Sequence, residues 1–145
     1  MTDAGSPSAP APTVRTLVYS DDADTRAAVR LALGARPHPD LPEFAYLEVA
    51  TEPAVIRAVD AGGLDLLILD GEAVPAGGLG IARQVKDEIY RCPPVLVLTG
   101  RPQDAWLATW SRADAALPHP IDPLRLAETV AGLVRARLGS VPANP

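Results

Sequence analysis

The sequence predicts a single α/β domain: a parallel five-stranded sheet covered by helices on both faces. Two observations carry this. Short apolar runs alternate along the chain with stretches of helical period, the pattern of successive β-α-β units. The runs themselves, such as LDLLIL at residues 64–69 and VLVL at 95–98, are almost continuously apolar, as strands buried on both faces must be. A length of 145 residues and a hydrophobic content of 48% suit one sizeable core.

The elements follow in order. Residues 16–20 (TLVYS) read as the first strand. Asp22 or Asp24 then caps a helix carrying Ala27, Val29, Leu31 and Leu33, with Gly34 at its end. The next connection, residues 35–43 (ARPHPDLPE), is proline-rich and longer than the roughly 2–6 residues usual there. It is either a binding loop or an idle ordered insertion, with His38 facing solvent. Residues 44–49 form the second strand. Thr51 caps the second helix, with Pro53 in its first turn, Val55, Ile56 and Val59 apolar, and Gly62 closing it. After the third strand at 64–69, a third helix is expected over 78–90, with Leu79, Ile81, Ala82, Val85 and Ile89 inward. The fourth strand is 95–98, and the fourth helix, 104–112, carries Trp106, Leu107 and Trp110. Residues 115–117 are the weakest strand. Asp122 caps a fifth helix opening on Pro123, with an apolar stripe of Leu124, Leu126, Val130, Leu133, Val134 and Leu138, and Gly139 at its end. Several of the 16 prolines fall at the two ends, in segments 6–12 and 139–145. The expected domain therefore spans residues 14–139, between disordered tails at 1–13 and 140–145.

Composition excludes several classes of function. A net charge of -5 and a pI near 4.9 oppose a surface built to attract nucleic-acid phosphate backbones, and Arg26, Arg30, Arg83, Lys86, Arg135 and Arg137 are spread over several helices as solvated faces. No nucleic-acid partner is expected. Cys92 is the only cysteine, so no internal disulfide forms, and Met1 is followed by polar and small residues rather than a secretion signal. No apolar run approaches the ~20 residues that span a bilayer. Membrane insertion is not expected, and a cytoplasmic location is.

In an open parallel sheet the site lies at the carboxyl ends of the strands. Reading off those positions collects Ser20, Asp21 and Asp22 after the first strand, Asp70 after the third, Thr99 after the fourth and His119 after the fifth. Each has a plainer reading as well. Asp70 with Gly71 suits a simple strand-end turn, Asp22 and Asp24 suit helix caps, Thr99 suits a turn before Pro102, and His119 beside Pro120 suits a structural histidine. Gly77, Gly78 and Gly80 lack the GxGxxG or terminal GKS spacing of a nucleotide loop and read as a helix entry. Trp106 and Trp110, one helical turn apart, mark core or a partner-facing ridge.

As a set, YSDDADTR (19–26), LDLLILDGE (64–72), GGLG (77–80), PPVLVLTG (93–100) and ADAALPHPID (113–122) resemble the receiver domains of two-component response regulators, over residues 14–138. The resemblance implies a flavodoxin-like three-layer α/β/α sandwich with strand order 2-1-3-4-5. It implies that Asp70 is the phosphoacceptor, forming an acyl phosphate. It implies Mg²⁺ held by Asp21, Asp22, Asp70 and the backbone carbonyl of Glu72, because a hard cation offsets charge on the transferring group. Thr99 would donate its hydroxyl to a phosphoryl oxygen. The implied protein is a signalling module without an attached output domain, and no enzyme beyond self-phosphorylation and autodephosphorylation. Its partners would be a histidine kinase or other regulatory protein, or a second copy docked through the face from the fourth to the fifth helix, with Trp106, Trp110, Arg112 and Arg125 exposed there.

Departures from the family pattern are equally specific. His119 stands where a Lys is usual, replacing a long ammonium with an imidazole that ordinarily loses its proton near neutrality. Ala116 replaces the aromatic ring that swings when the Thr is engaged, and Val74 with Pro75 shifts the usual loop proline by one place. The acidic pair is either Asp21 and Asp22 or Ser20 and Asp21, and the offset to Arg26 favours the second. Mg²⁺ binding is expected to be weakened. Two alternatives stay open: a pseudo-receiver that acts without phosphorylation, and a small flavodoxin-like cofactor-binding protein, disfavoured because no phosphate-cradling loop is visible.

Overall fold

The structure is a computed structural model that describes residues 12–101 and 105–140. Among these residues the elements run β1 (Thr13–Tyr19), α1 (Ala23–Leu33), β2 (Glu43–Val49), α2 (Glu52–Ala61), β3 (Leu66–Asp70), α3 (Gly78–Glu88), β4 (Val95–Thr99), α4 (Ala105–Ser111), β5 (Ala115–Pro118) and α5 (Pro123–Ser140). All strand pairs are parallel, in the order β2-β1-β3-β4-β5. This is the flavodoxin-like sandwich that the sequence resemblance implied.

Every residue of β3 and β4 is buried, and their period-two alternation divides the core. Leu66, Ile68, Leu96 and Leu98 face α1 and α5, where Val29, Leu33, Leu126, Val130 and Val134 cover them. Leu67, Leu69, Val95 and Val97 face the other layer, against Val55 and Val59 of α2 and Ile81, Ala82 and Val85 of α3. Each such side chain contributes about 1.5–3 kcal/mol by leaving water. The consequence for function is positional: β3 is held from both sides, so its last residue, Asp70, stands on a rigid platform.

The local signals act as read. Asp22 caps α1 by accepting from the Asp24 amide, and Thr51 caps α2 by accepting from the Ala54 amide. Asp122 accepts from the Leu124 and Arg125 amides at the start of α5. Gly34 and Gly62 close their helices with φ of 62° and 77°, which a side chain would strain.

Several expectations need correction. β1 begins at Thr13 and α5 reaches Ser140, one residue beyond the expected domain limits at each end, and the rest of both predicted tails lies outside the described residues. Ser20 lies beyond β1 rather than in it. Gly139 sits inside α5 and does not close it. Leu124 and Leu138 are 75% and 49% exposed, off the expected stripe. Leu124 is roughly 200° around the helix from Leu126, and Leu138 lies a full turn past Val134, the last α5 residue in the core cluster. α3 stops at Glu88, with Ile89 as its extended C-cap. Asp104, the expected start of α4, lies outside the described residues.

Trp106 and Trp110 are 66% and 46% exposed, so the ridge faces outward. α4 is instead tied to α3 by Arg83, which donates to the Trp110 carbonyl and covers its ring, and by the Arg112–Asp87 ion pair. The long 35–43 connection is part of the packing. Leu41 is buried in the α1/α5 core, and Asp40 accepts two bonds of 3.0 Å from Arg135 of α5. His38 is paired with Asp40 at the surface. Among the described residues no helix is long and apolar enough to cross a membrane.

Candidate functional site

Asp70 ends β3 with 3% of its surface exposed, at the floor of a cleft of about 410 Å³ lined by Asp21, Asp22, Thr25, Asp70, Glu72, Gly100 and His119. A carboxylate this buried needs donors. It has three, from separate segments. The Ser20 hydroxyl donates to Oδ2 at 2.7 Å, the Glu72 amide donates to Oδ1 at 2.9 Å, and His119 Nε2 lies 2.9 Å from Oδ1, donating in the tautomer that carries its hydrogen there.

The β1–α1 turn explains how Ser20 reaches the acceptor. Thr16, Val18 and Ser20 share one parity along β1, and β1 is hydrogen-bonded directly to β3. Ser20 is fully buried, and its hydroxyl also accepts from the Asp22 amide at 3.0 Å. Arg26 anchors the turn from α1, donating to the Ser20 carbonyl at 2.6 Å and pairing with Glu48 at 3.1 Å. Arg30 and then Arg26 hold the Glu48 carboxyl below its ordinary range by hydrogen bonding. The geometry separates the acidic residues: Ser20 takes the buried position against Asp70, Asp21 and Asp22 line the cleft, and Asp22 also spends one oxygen on the α1 cap.

Thr99 is buried at the end of β4, but its hydroxyl turns away from the cleft toward the Leu117 carbonyl at 3.5 Å. His119 is held by its own amide on the Thr99 carbonyl at 2.8 Å. Ala116 packs half-buried against the α2/α3 core, and no ring stands at that position. The loop after β3 turns sharply: the Gly71 amide bonds the Leu98 carbonyl at 2.7 Å, the Ala73 amide bonds the Asp70 carbonyl at 3.2 Å, and the Val74–Pro75 peptide is cis. The Glu72 side chain lies over Gly100, where any Cβ would collide with its carboxyl group.

Among the described residues no group of three or more His, Cys, Asp or Glu side chains converges as a ready-made metal cage. The donors around Asp70 are nonetheless hard oxygens, and Mg²⁺ characteristically takes one or two carboxylates while keeping several waters. Asp21, Asp70 and a backbone oxygen fit that chemistry. The lining is also strongly acidic, with His119 its only base, so an incoming phosphoryl group needs a compensating cation.

Sequence reasoning placed Asp70, Asp21, Asp22, Glu72 and His119 at one cleft, and the structure brings them together there. It missed the direct Ser20–Asp70 bond as a feature of the site, although the parity of β1 carries the signal. It also missed Tyr19, which is 1% exposed and donates its hydroxyl to the Ala76 carbonyl across 57 residues of sequence. Burial first, and then the charges of Asp21, Glu52 and Asp70, push the Tyr19 phenol above its ordinary pKa.

No family model matches the chain. Two proteins named as response regulatory proteins, from two strains of Mycobacterium tuberculosis, are each 64% identical over 123 residues, covering 85% of this chain and 92% of theirs. Among solved structures, a putative response regulator from Chloroflexus aurantiacus superposes with a TM-score of 0.74 at 18% identity, over 86% of this chain and 99% of that one. A CheY-like receiver domain from Methanospirillum hungatei gives 0.70 at 15% identity, over 88% and 98%. The response regulator TrrA from Thermotoga maritima, solved in complex with Mg(2+)-BeF, gives 0.67 at 22% identity, over 82% and 97%.

Proposed function

Because this chain belongs to the response regulator receiver family, we propose that it takes a phosphoryl group on Asp70 in a Mg²⁺-dependent reaction and passes that state on through protein contacts. The observation that carries the reading is the Asp70 carboxylate, pinned at the end of the central strand by Ser20, Glu72 and His119 at the floor of an acidic cleft.

The chemistry is an in-line displacement. An Asp70 oxygen attacks phosphorus, the bond to the donor's leaving atom breaks with its electron pair, and an acyl phosphate results. Asp21, Asp70 and the Glu72 carbonyl hold the cation, which offsets the negative charge gathered in the cleft. The Thermotoga protein, solved in complex with Mg(2+)-BeF, supports Mg²⁺ as the kind of cation, and the hard oxygens of this cleft support the residues. His119 donates to the phosphoryl oxygens, taking the place of a lysine, and Thr99 rotates from Leu117 toward the new group. Without a ring at Ala116 to follow it, Thr99 must signal by its own movement against β5. The phosphodonor partner is a histidine kinase. The outlet is the face from α4 to α5, where Trp106, Trp110, Arg112 and Arg125 are exposed to a partner protein or a second copy.

One observation favours a second reading. Both Asp70 oxygens already have donors, the Ser20 hydroxyl at 2.7 Å from Oδ2 among them, which suits a pseudo-receiver with one constitutive conformation. Intact mass after incubation with Mg²⁺ and a small-molecule phosphodonor separates the two. The expected result is one phosphoryl adduct in the wild type and none in Asp70→Asn. No adduct, together with no Mg²⁺ binding, would establish the pseudo-receiver instead.

A further inference from the structure

The loop of residues 71–77 carries Glu72 over the acceptor, and its shape decides where the Glu72 backbone oxygen stands. Its first part is held by the acceptor itself, through the Glu72 amide on Asp70 Oδ1 at 2.9 Å. Its far end is drawn back onto β3 so tightly that a Cβ on Gly77 would stand 2.9 Å from the Gly71 oxygen, and one on Gly78 would stand 2.8 Å from the Asp70 carbonyl. Between these points the Ala73 amide bonds the Asp70 carbonyl at 3.2 Å, and a side-chain anchor comes from β1. Tyr19 donates to the Ala76 carbonyl from a ring buried among the α2/α3 core residues.

Tyr19 and Ser20 are consecutive, and side chains of an extended chain alternate in direction. Ser20 therefore meets the Asp70 carboxylate while Tyr19 reaches past the other side of β3 to the loop. The end of β1 thus holds both halves of the proposed cation site: the carboxylate through Ser20 and the carbonyl-bearing loop through Tyr19. A buried phenol without an acceptor is costly, so the Tyr19 hydroxyl holds Ala76 in place as firmly as Ala76 satisfies it.

We propose that Tyr19 is a positioning residue for the cation: by tethering Ala76 it fixes the loop that presents the Glu72 carbonyl and so sets the affinity of the acceptor cleft for Mg²⁺. This rests on the Mg²⁺-dependent reading above. Tyr19→Phe keeps the buried ring and removes only the hydroxyl. Tyr46→Phe is the control, because the Tyr46 hydroxyl likewise donates to a backbone carbonyl, that of Gly34, at the opposite end of α1 from the cleft. The measurement is a Mg²⁺ titration of the full chain, followed by backbone amide shifts at constant ionic strength, with amide exchange of residues 72–77 read on the same samples. Tyr19→Phe is expected to need roughly three- to tenfold more Mg²⁺ for half-saturation and to exchange faster in the loop, while Tyr46→Phe matches the wild type. A Tyr19→Phe protein with wild-type Mg²⁺ affinity would overturn this inference alone and leave Tyr19 a core residue. A wild type that binds no Mg²⁺ would overturn both this inference and the reading on which it rests.

Discussion

Ser20→Ala tests the feature that most distinguishes this site, the hydroxyl bonded to the acceptor. The substitution deletes one oxygen and leaves a small side chain of similar shape. The lost bond is 2.7 Å long, between a fully buried serine and a carboxylate that is 3% exposed, so water cannot replace it cheaply. A hydrogen bond to a buried carboxyl group contributes about 1.5–3 kcal/mol, and the Asp22 amide that also loses its acceptor is only part-buried, so solvent can take over. The expected loss of stability is about 2 kcal/mol, or about 4–8 °C in Tm for a domain of this size. Urea unfolding followed by circular dichroism and by the fluorescence of Trp106 and Trp110 measures it and checks two-state behaviour. Repeating it in an Asp70→Asn background closes a double-mutant cycle, with a coupling of about 1 kcal/mol expected because the neutral amide accepts more weakly. A Ser20→Ala loss below about 0.5 kcal/mol, or additivity within about 0.3–0.5 kcal/mol, would refute the claim that Ser20 holds the acceptor.

Two further outcomes follow from contacts outside the cleft. The Asp40 carboxyl is held down to about 2, first by its bonds to Arg135 and further by His38. A depressed carboxylate stabilises the fold above its unfolded pKa, near 4, and that contribution disappears as pH falls through the folded value. Asp40→Asn should therefore lower the urea midpoint at neutral pH, with the gap to wild type closing between about pH 4 and pH 2; a gap independent of pH would exclude the ion pair as its source. The two glycines Gly78 and Gly132 should respond in opposite directions to alanine. At Gly78 the new Cβ meets immovable backbone of Leu69 and Asp70, so a loss above about 2 kcal/mol is expected, whereas Gly132 lies in α5 with open space around it and should gain about 0.5–1 kcal/mol in the same denaturant assay.

The legible part of this protein was local. Continuous apolar runs marked β3 and β4 because strands covered on both faces have no other composition available. Asp22, Thr51 and Asp122 announced their helices because a cap depends on the next two or three residues and nothing distant. Leu124 misled because it opens the apolar stretch in sequence although it stands roughly 200° around the helix from Leu126, outside the arc that the sheet covers. The 35–43 connection was unreadable as packing for the same reason, since Arg135, which fixes Asp40, is 95 residues away.

By itself, then, the sequence determined the fold class, the element order and the strand ends at which Asp70, Asp21, Thr99 and His119 gather. The sequence leaned towards Ser20 and Asp21 as the pair, but only tertiary structure decided that the Ser20 hydroxyl bonds Asp70, that Thr99 faces Leu117, and that Tyr19 tethers the loop through Ala76. The physical reason is range. Strand identity is written in the residues of each strand, but these contacts join residues 18 to 57 positions apart, and their partners are chosen by which strands lie side by side in the sheet.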